Sequence, residues 1–250
     1  MNWDDLLPLA VFFVALIASI MSGMTGGGGS FILTPFYILI GLTPQQAVAT
    51  GKFGGFGMSL GAVAAFRERM LQNKRLSLFV MVLAAIIGVI ASLLLQEINN
   101  SILQLLIGFM MLAMVPFMIF KARKVLRKNA SSVEKVIGIS LLALVLLLQG
   151  LLSSGVGSLI SAIFIIFFGM SALEANIMKR KTSLLITGVM TLLLLGSGLI
   201  NFKYGFAGMA GGLFGGYIGS RIALKKGESF ARYAMLMFMT VSGVWLVATA

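Results

Sequence analysis

The chain contains no cysteine and no histidine. That removes disulfides, thiol nucleophiles, histidine-held haem and the donor sets of most zinc and copper sites. It also excludes a Ser–His hydrolytic arrangement, because the base is missing. Acids are nearly as scarce: Asp4, Asp5, Glu68, Glu97, Glu134, Glu174 and Glu228 are the whole set. None lies centrally in a full-length apolar run, so no intramembrane carboxylate relay is laid out. No metal or cofactor is expected, and enzymatic chemistry is not. Charged residues of both signs make up only 10% of the chain, against about a quarter in soluble domains. A chain that is 59% hydrophobic cannot cover itself with polar surface. It reads as an integral membrane protein with the bilayer as its first partner.

What is present fits that reading. The 30 glycines suit closely packed transmembrane helices. The 17 methionines are scattered through apolar runs, as packing filler is. The net charge of +12 would suit nucleic acid, but its distribution marks membrane anchors, and no nucleic-acid partner is expected. The opening MNWDDLLPLA has no basic region, so it reads as the start of a first helix and not as a signal peptide.

Ten apolar segments follow: 6–24, 31–42, 47–66, 76–95, 102–120, 136–152, 159–169, 183–200, 206–222 and 233–249. The second and seventh are too short to span a bilayer, which needs about 20 residues. Seventeen of the 19 basic residues fall into four clusters. These are Arg67–Arg75, Lys121–Lys135, Lys179–Lys181 and Arg221–Arg232. One topology puts all four on the cytoplasmic side. It requires 6–42 and 136–169 to be re-entrant hairpins entering from opposite faces, with both termini outside. The expectation is an all-α polytopic protein of two inverted five-segment repeats, each a hairpin plus three transmembrane helices. The repeats occupy 1–125 and 136–250, with a basic cytoplasmic linker at 121–135.

A shift of 128 residues supports the repeat. It lays Gly27, Gly29 and Ser30 on Gly155, Gly157 and Ser158, and Gly41, Thr43 and Ala47 on Gly169, Ser171 and Ala175. Inverted repeats with broken helices mark secondary transporters.

The breaks themselves are the candidate site. Non-helical backbone at membrane depth is tolerated where it is buried in protein or lines a watery cavity. Gly26, Gly27, Gly28 and Gly29 form one break, flanked by Thr25 and Ser30; Ser153, Ser154, Gly155, Gly157 and Ser158 form the other. A tight turn alone would explain the glycines. It would not explain a half-length helix after each break. Such a helix covers about 16–18 Å, so two tips entering from opposite faces meet near the midplane. Their N-terminal amides and dipoles would then face one polar space, which is an anion site. Lys52 and its 128-offset mate Arg180 would supply charge, although surface anchoring is the alternative for each. Glu174 is the one acid near the hairpins and the candidate for proton coupling; Gln46 is its mate, and Gln149 is a further polar residue nearby. The runs GKFGGFGMSLG and GMAGGLFGGYIGS place glycines four apart, the spacing of close helix contacts. These faces suit packing within the chain or between chains, and a homodimer is the working expectation.

The glycine-rich break, LTPFYILIGLTPQQAVAT after it and a weaker second copy resemble the sulfite exporter TauE/SafE family over nearly the whole chain. The most specific stretch is Gly23–Thr50, with Pro35 and the pattern Gly41, Pro44, Ala47. The second copy departs from it, with Ile163 and Ala172 in place of the two prolines. The resemblance implies an inner-membrane transporter of small anions such as sulfite, organosulfonates or related organic acids. A secondary transporter working by alternating access is the leading expectation, and an anion channel with the same pore is the alternative.

Overall fold

The computed structural model describes residues 3–25, 27–65, 74–119, 132–152, 156–226 and 229–250. Ten helices account for nearly all of it: α1 (Trp3–Thr25), α2 (Ser30–Leu39), α3 (Pro44–Ala65), α4 (Lys74–Glu97), α5 (Asn100–Ile119), α6 (Ser132–Leu152), α7 (Gly157–Phe168), α8 (Ala172–Leu194), α9 (Phe202–Lys226) and α10 (Ser229–Ala248). No strand occurs among the described residues. Leu6–Thr25, Arg75–Glu97 and Val133–Leu152 are each long and apolar enough to cross a membrane. Leu78, Leu93, Leu192, Met237 and Val241 stand exposed on the outer faces, as lipid-facing side chains do. The protein is a polytopic all-helical membrane protein.

Nine of the ten helices begin and end within four residues of the expected segments. The exception is α8, which starts at Ala172 and not at 183, and ends at Leu194 and not at 200. Lys179, Arg180 and Lys181 therefore lie inside a helix, not in a loop before one. Arg180 sits about 12 Å along it. The reason is a local start signal that outweighs the charges. Ser171 accepts from the Glu174 amide at 3.2 Å, and the Glu174 carboxylate accepts from the Ser171 amide at 2.9 Å. This is a capping box. Burial of Lys179 and Arg180 within protein then removes them from lipid.

The same start is built into α3. The Thr43 hydroxyl accepts from the Gln46 amide at 3.3 Å, and Gln46 Oε1 accepts from the Thr43 amide at 3.2 Å. Gly41 and Gly169 precede the two boxes with φ of 94° and 65°, a region open to glycine at no steric cost. Helices α3 and α8 begin 128 residues apart, as do α4 and α9.

Packing follows the same pairing. Helix α9 lies along α1 and α3, and α4 lies along α6 and α8. Helix α2 contacts α1 and α3; α7 contacts α6 and α8. Helices α3 and α8 pack on one another, and so do α5 and α10.

Helix α9 fits between α1 and α3 on two glycine faces. A β-carbon at Gly211, Gly215 or Gly219 would strike the carbonyl of Phe12, Leu16 or Ile20 on α1. One at Gly212 or Gly216 would strike the carbonyl of Gly54 or Met58 on α3. From the other side, Gly57 and Gly61 meet the carbonyls of Met209 and Leu213. The glycine runs thus pack within the chain. Small residues let backbones approach where lipid supplies no hydrophobic drive.

Candidate functional site

The chain between α1 and α2 turns sharply. The Thr25 hydroxyl lies 2.9 Å from the Met21 carbonyl and 2.8 Å from the Gly27 carbonyl, which share its one hydrogen and tie the end of α1 to the turn. Gly28 has φ 105°. Its carbonyl accepts from the Phe31 amide at 2.9 Å, and the Gly29 carbonyl accepts from Ile32 at 3.1 Å. Helix α2 is under way at once.

The two breaks meet. A β-carbon at Gly27 would lie 3.1 Å from Gly157 Cα and 3.4 Å from the Ser158 amide nitrogen. Glycine at 27 eases this approach, since a β-carbon there would need its neighbours to give by a few tenths of an ångström. The N-termini of α2 and α7 therefore converge. Each begins without a side-chain cap and without an acid in its first turn. Neither helix brings a negative charge of its own to its positive end.

Lys52 and Arg180 are both buried, with about 1% and 3% of their surfaces exposed. Neither anchors at the surface. The Lys52 ammonium donates to the Gln149 carbonyl. Arg180 Nη2 donates to the carbonyls of Ser22 at 2.8 Å and Gly23 at 3.2 Å. Ser22 and Gln149 are each the fourth residue from the end of their helices, α1 and α6. Carbonyls in a last turn have no partner within the helix and carry negative dipole charge. Neither α1 nor α6 has a basic residue of its own in its last turn. The cation arrives from the other half of the chain in both cases. Gln149 extends the contact, its Nε2 donating to the buried Ser183 hydroxyl at 2.7 Å.

Some donors there remain unused. Arg180 Nε is buried without a partner, and so is the Ser22 hydroxyl. Ser22 Cβ lies 3.0 Å from where a Gly29 β-carbon would be. The Ser22 side chain thus sits against the start of α2. A small cavity opens on the same helix end. It is lined by Ser19 on α1, Gly29 and Ser30 at the tip, Gly51, Gly54 and Gly55 on α3, and Gly208 on α9.

The structure therefore brings Gly27, Gly157 and Ser158 together. It places Gly28, Gly29 and Ser30 at the start of α2, with Thr25 bracing the turn. Lys52 and Arg180 hold the helices that lead into the tips. Gly26, Ser153, Ser154 and Gly155 lie outside the described residues. Glu174 stands apart, half-exposed in the α8 cap, where its carboxylate also accepts from the Ser171 hydroxyl at 2.7 Å. Ser19, Ser22 and the glycines of α3 were not singled out from sequence as site residues. Ser19, Ser22 and Thr25 recur three apart at the end of α1, the one pattern that could have shown a polar stripe facing the break.

The family model for the sulfite exporter TauE/SafE proteins matches residues 11–246. A probable membrane transporter protein of Haemophilus influenzae is 28% identical over 234 residues, covering 91% of this chain and 89% of its own. The probable membrane transporter protein ORF9 of a Sinorhizobium species is 23% identical, covering 95% of this chain and 91% of its own. The probable membrane transporter protein YfcA of Escherichia coli K12 is 24% identical, covering 98% of this chain and 91% of its own. No solved structure matches.

Proposed function

The chain belongs to the sulfite exporter TauE/SafE family, and we propose that it is a secondary transporter of a small anion in the bacterial inner membrane. The substrate class is sulfite, an organosulfonate or a related organic acid. The anion binds at the hairpin tips, where the N-termini of α2 and α7 converge. It is exchanged between the two sides by alternating access of two inverted repeats. Both chain termini lie outside, an orientation that rests on the basic clusters at 67–75, 121–135 and 221–232.

The observation that carries this reading is the buried Arg180. No carboxylate among the described residues pairs with it, and its Nε is unused. A buried cation without a counter-ion is costly. It is held at the end of α1 by the Ser22 and Gly23 carbonyls, and the Ser22 side chain packs on Gly29, before a helix whose first turn also lacks an acid. Both features call for an anion from outside the chain. The contact of Gly27 with Gly157 closes the line between the tips, which favours a carrier over an open channel. The two-fold pairing of helix contacts supports the repeat.

The test is uptake into proteoliposomes of labelled sulfite, then sulfoacetate, with and without a pH gradient. Saturable uptake that falls in Lys52→Ala is expected, with no single-channel conductance in planar bilayers. Absence of uptake of any small anion, with the protein folded and oriented, would remove the substrate class.

A further inference from the structure

Helix α8 carries a row of polar side chains along one face. Asn176, Arg180, Ser183, Thr187 and Thr191 follow one another at steps of four, three, four and four residues, the repeat of a single helical face. The row runs about 22 Å from end to end, against about 30 Å for a hydrocarbon core. Gly188 faces Phe56 of α3, and Ile186 and Val189 face Gly88 of α4. Leu192 is exposed on the outer side. The row lies between the sides turned to α3 and α4, away from lipid. Arg180, Ser183, Thr187 and Thr191 are all buried.

Polar side chains inside a membrane bundle have two ordinary uses. They bond one helix to another, or they line a route for polar cargo. The first use accounts for the middle of the row only. Ser183 accepts from Gln149 Nε2 on α6 at 2.7 Å, and Arg180 Nη2 donates to the end of α1. Thr187 turns back on its own helix, donating to the Ser183 carbonyl at 2.7 Å. Asn176 Oδ1, Arg180 Nε and Thr191 Oγ1 are buried with no partner, and so is Oε1 of the Gln149 amide that bonds Ser183. Unpaired polar atoms thus recur from the first residue of the row to the last. Burying them so is costly.

The shared fold does not require the row. The positions 128 residues earlier, on α3, are Val48, Lys52, Gly55, Ser59 and Val63. Valine closes both ends there. The middle of the α8 row, by contrast, lies at the candidate site, because Arg180 and Ser183 meet the last turns of α1 and α6, which lead into the two breaks.

We propose that this face of α8 is the wall of the transport route, along which the anion passes Asn176, Arg180, Ser183, Thr187 and Thr191 between the hairpin tips and the two sides of the membrane. This rests on the anion-transport reading and adds its route. Arg180 supplies the one charge of the row. The amide and the hydroxyls on either side of it donate to oxyanion oxygens without charge. Each such donor holds an anion weakly, and passage needs release as much as binding. The row is packed shut here, with Thr187 about 1% exposed, and alternating access wets it.

The test uses single cysteines, since the chain has no other thiol. A thiol reacts as its thiolate, which needs water. Asn176→Cys, Thr187→Cys and Thr191→Cys are compared with Ile186→Cys, packed toward α4, and Leu192→Cys, exposed to lipid. Each is treated in proteoliposomes with a sulfonated maleimide, the excess is removed, and uptake of labelled sulfite is read. The three row positions are expected to react at least tenfold faster than the two controls, and reaction there should lower uptake at least fivefold. Each position is read alone, so a variant that does not elute monodisperse leaves the others to decide. Row rates no higher than that of Ile186→Cys would overturn the proposal, as would reaction that leaves uptake untouched. Sulfite uptake by wild type with a dry row would remove the route and keep the transport reading. A reactive row in a protein that takes up no sulfite would keep a water-filled route and remove sulfite as its cargo.

Discussion

Arg180 does two jobs that a substitution can separate. Its Nη2 holds the last turn of α1, and its Nε is left over. Lysine supplies an ammonium that can reach a carbonyl, as Lys52 does at Gln149, but has no second fixed donor. Arg180→Lys should therefore keep most of the thermal stability while raising the KM for anion uptake several-fold. Arg180→Gln should lose both, with a cost of about 1.5–3 kcal/mol for a charged hydrogen bond, read as a lowered melting temperature in detergent. Stability retained in Arg180→Gln would show that the carbonyl contacts contribute little. Glu174 offers a cleaner separation. Its mate Gln46 caps α3 with an amide oxygen, so Glu174→Gln should keep the cap and the fold. Loss of pH-gradient dependence in that variant would place proton coupling on the carboxylate; unchanged dependence would leave it a capping group.

At the scale of elements, the glycine faces of α9 matter most. Gly216→Ala would drive a β-carbon into the Met58 carbonyl. Backbone cannot yield as a flexible side chain can, so a loss of about 1–3 kcal/mol is expected. Gly196 has nothing within 4 Å of its β-position, and Gly196→Ala should stay within about 0.5 kcal/mol of wild type. Denaturation of the two variants side by side checks the pair; equal melting would mean that α9 can shift to make room. The glycine spacing was legible in the sequence because four-residue periodicity is a property of one helix. Which helix it meets is not such a property, and intrachain packing came only with the structure. The start of α8 was hidden for a different reason. Charge density at Lys179–Lys181 masked a Ser-x-x-Glu cap eight residues earlier, because burial in protein is a tertiary fact. The breaks at Gly26–Gly29 and 153–158 were visible in the sequence, since glycine and serine interrupt an otherwise apolar run at both places and a half-length apolar segment follows each. The cavity at the α2 tip was not, for it depends on which residues of α1, α3 and α9 face that tip.

Across the whole molecule, the absence of cysteine makes the chain its own background for cross-linking. The Gly27 β-position lies close to the Ser158 backbone, so a Gly27→Cys, Ser158→Cys pair is within disulfide reach. Oxidation should join the tips and stop uptake, and a reductant should restore it. Uptake that persists in the cross-linked protein would mean that the tips do not part during transport. Single variants serve as controls for the strain each cysteine adds at this contact.

The exchange of cations between the two halves also sets an order of assembly. The α1 carbonyls at Ser22 and Gly23 wait for a guanidinium 158 and 157 residues further along, and Lys52 waits 97 residues for Gln149. A nascent chain that has delivered only its first five helices has a lysine without its acceptor and a helix end without its donor. Each half completes the other, so the first must be kept in the membrane unfinished until the second arrives. Separately expressed halves should then be poor substrates for quality control to spare, and co-expression should rescue them.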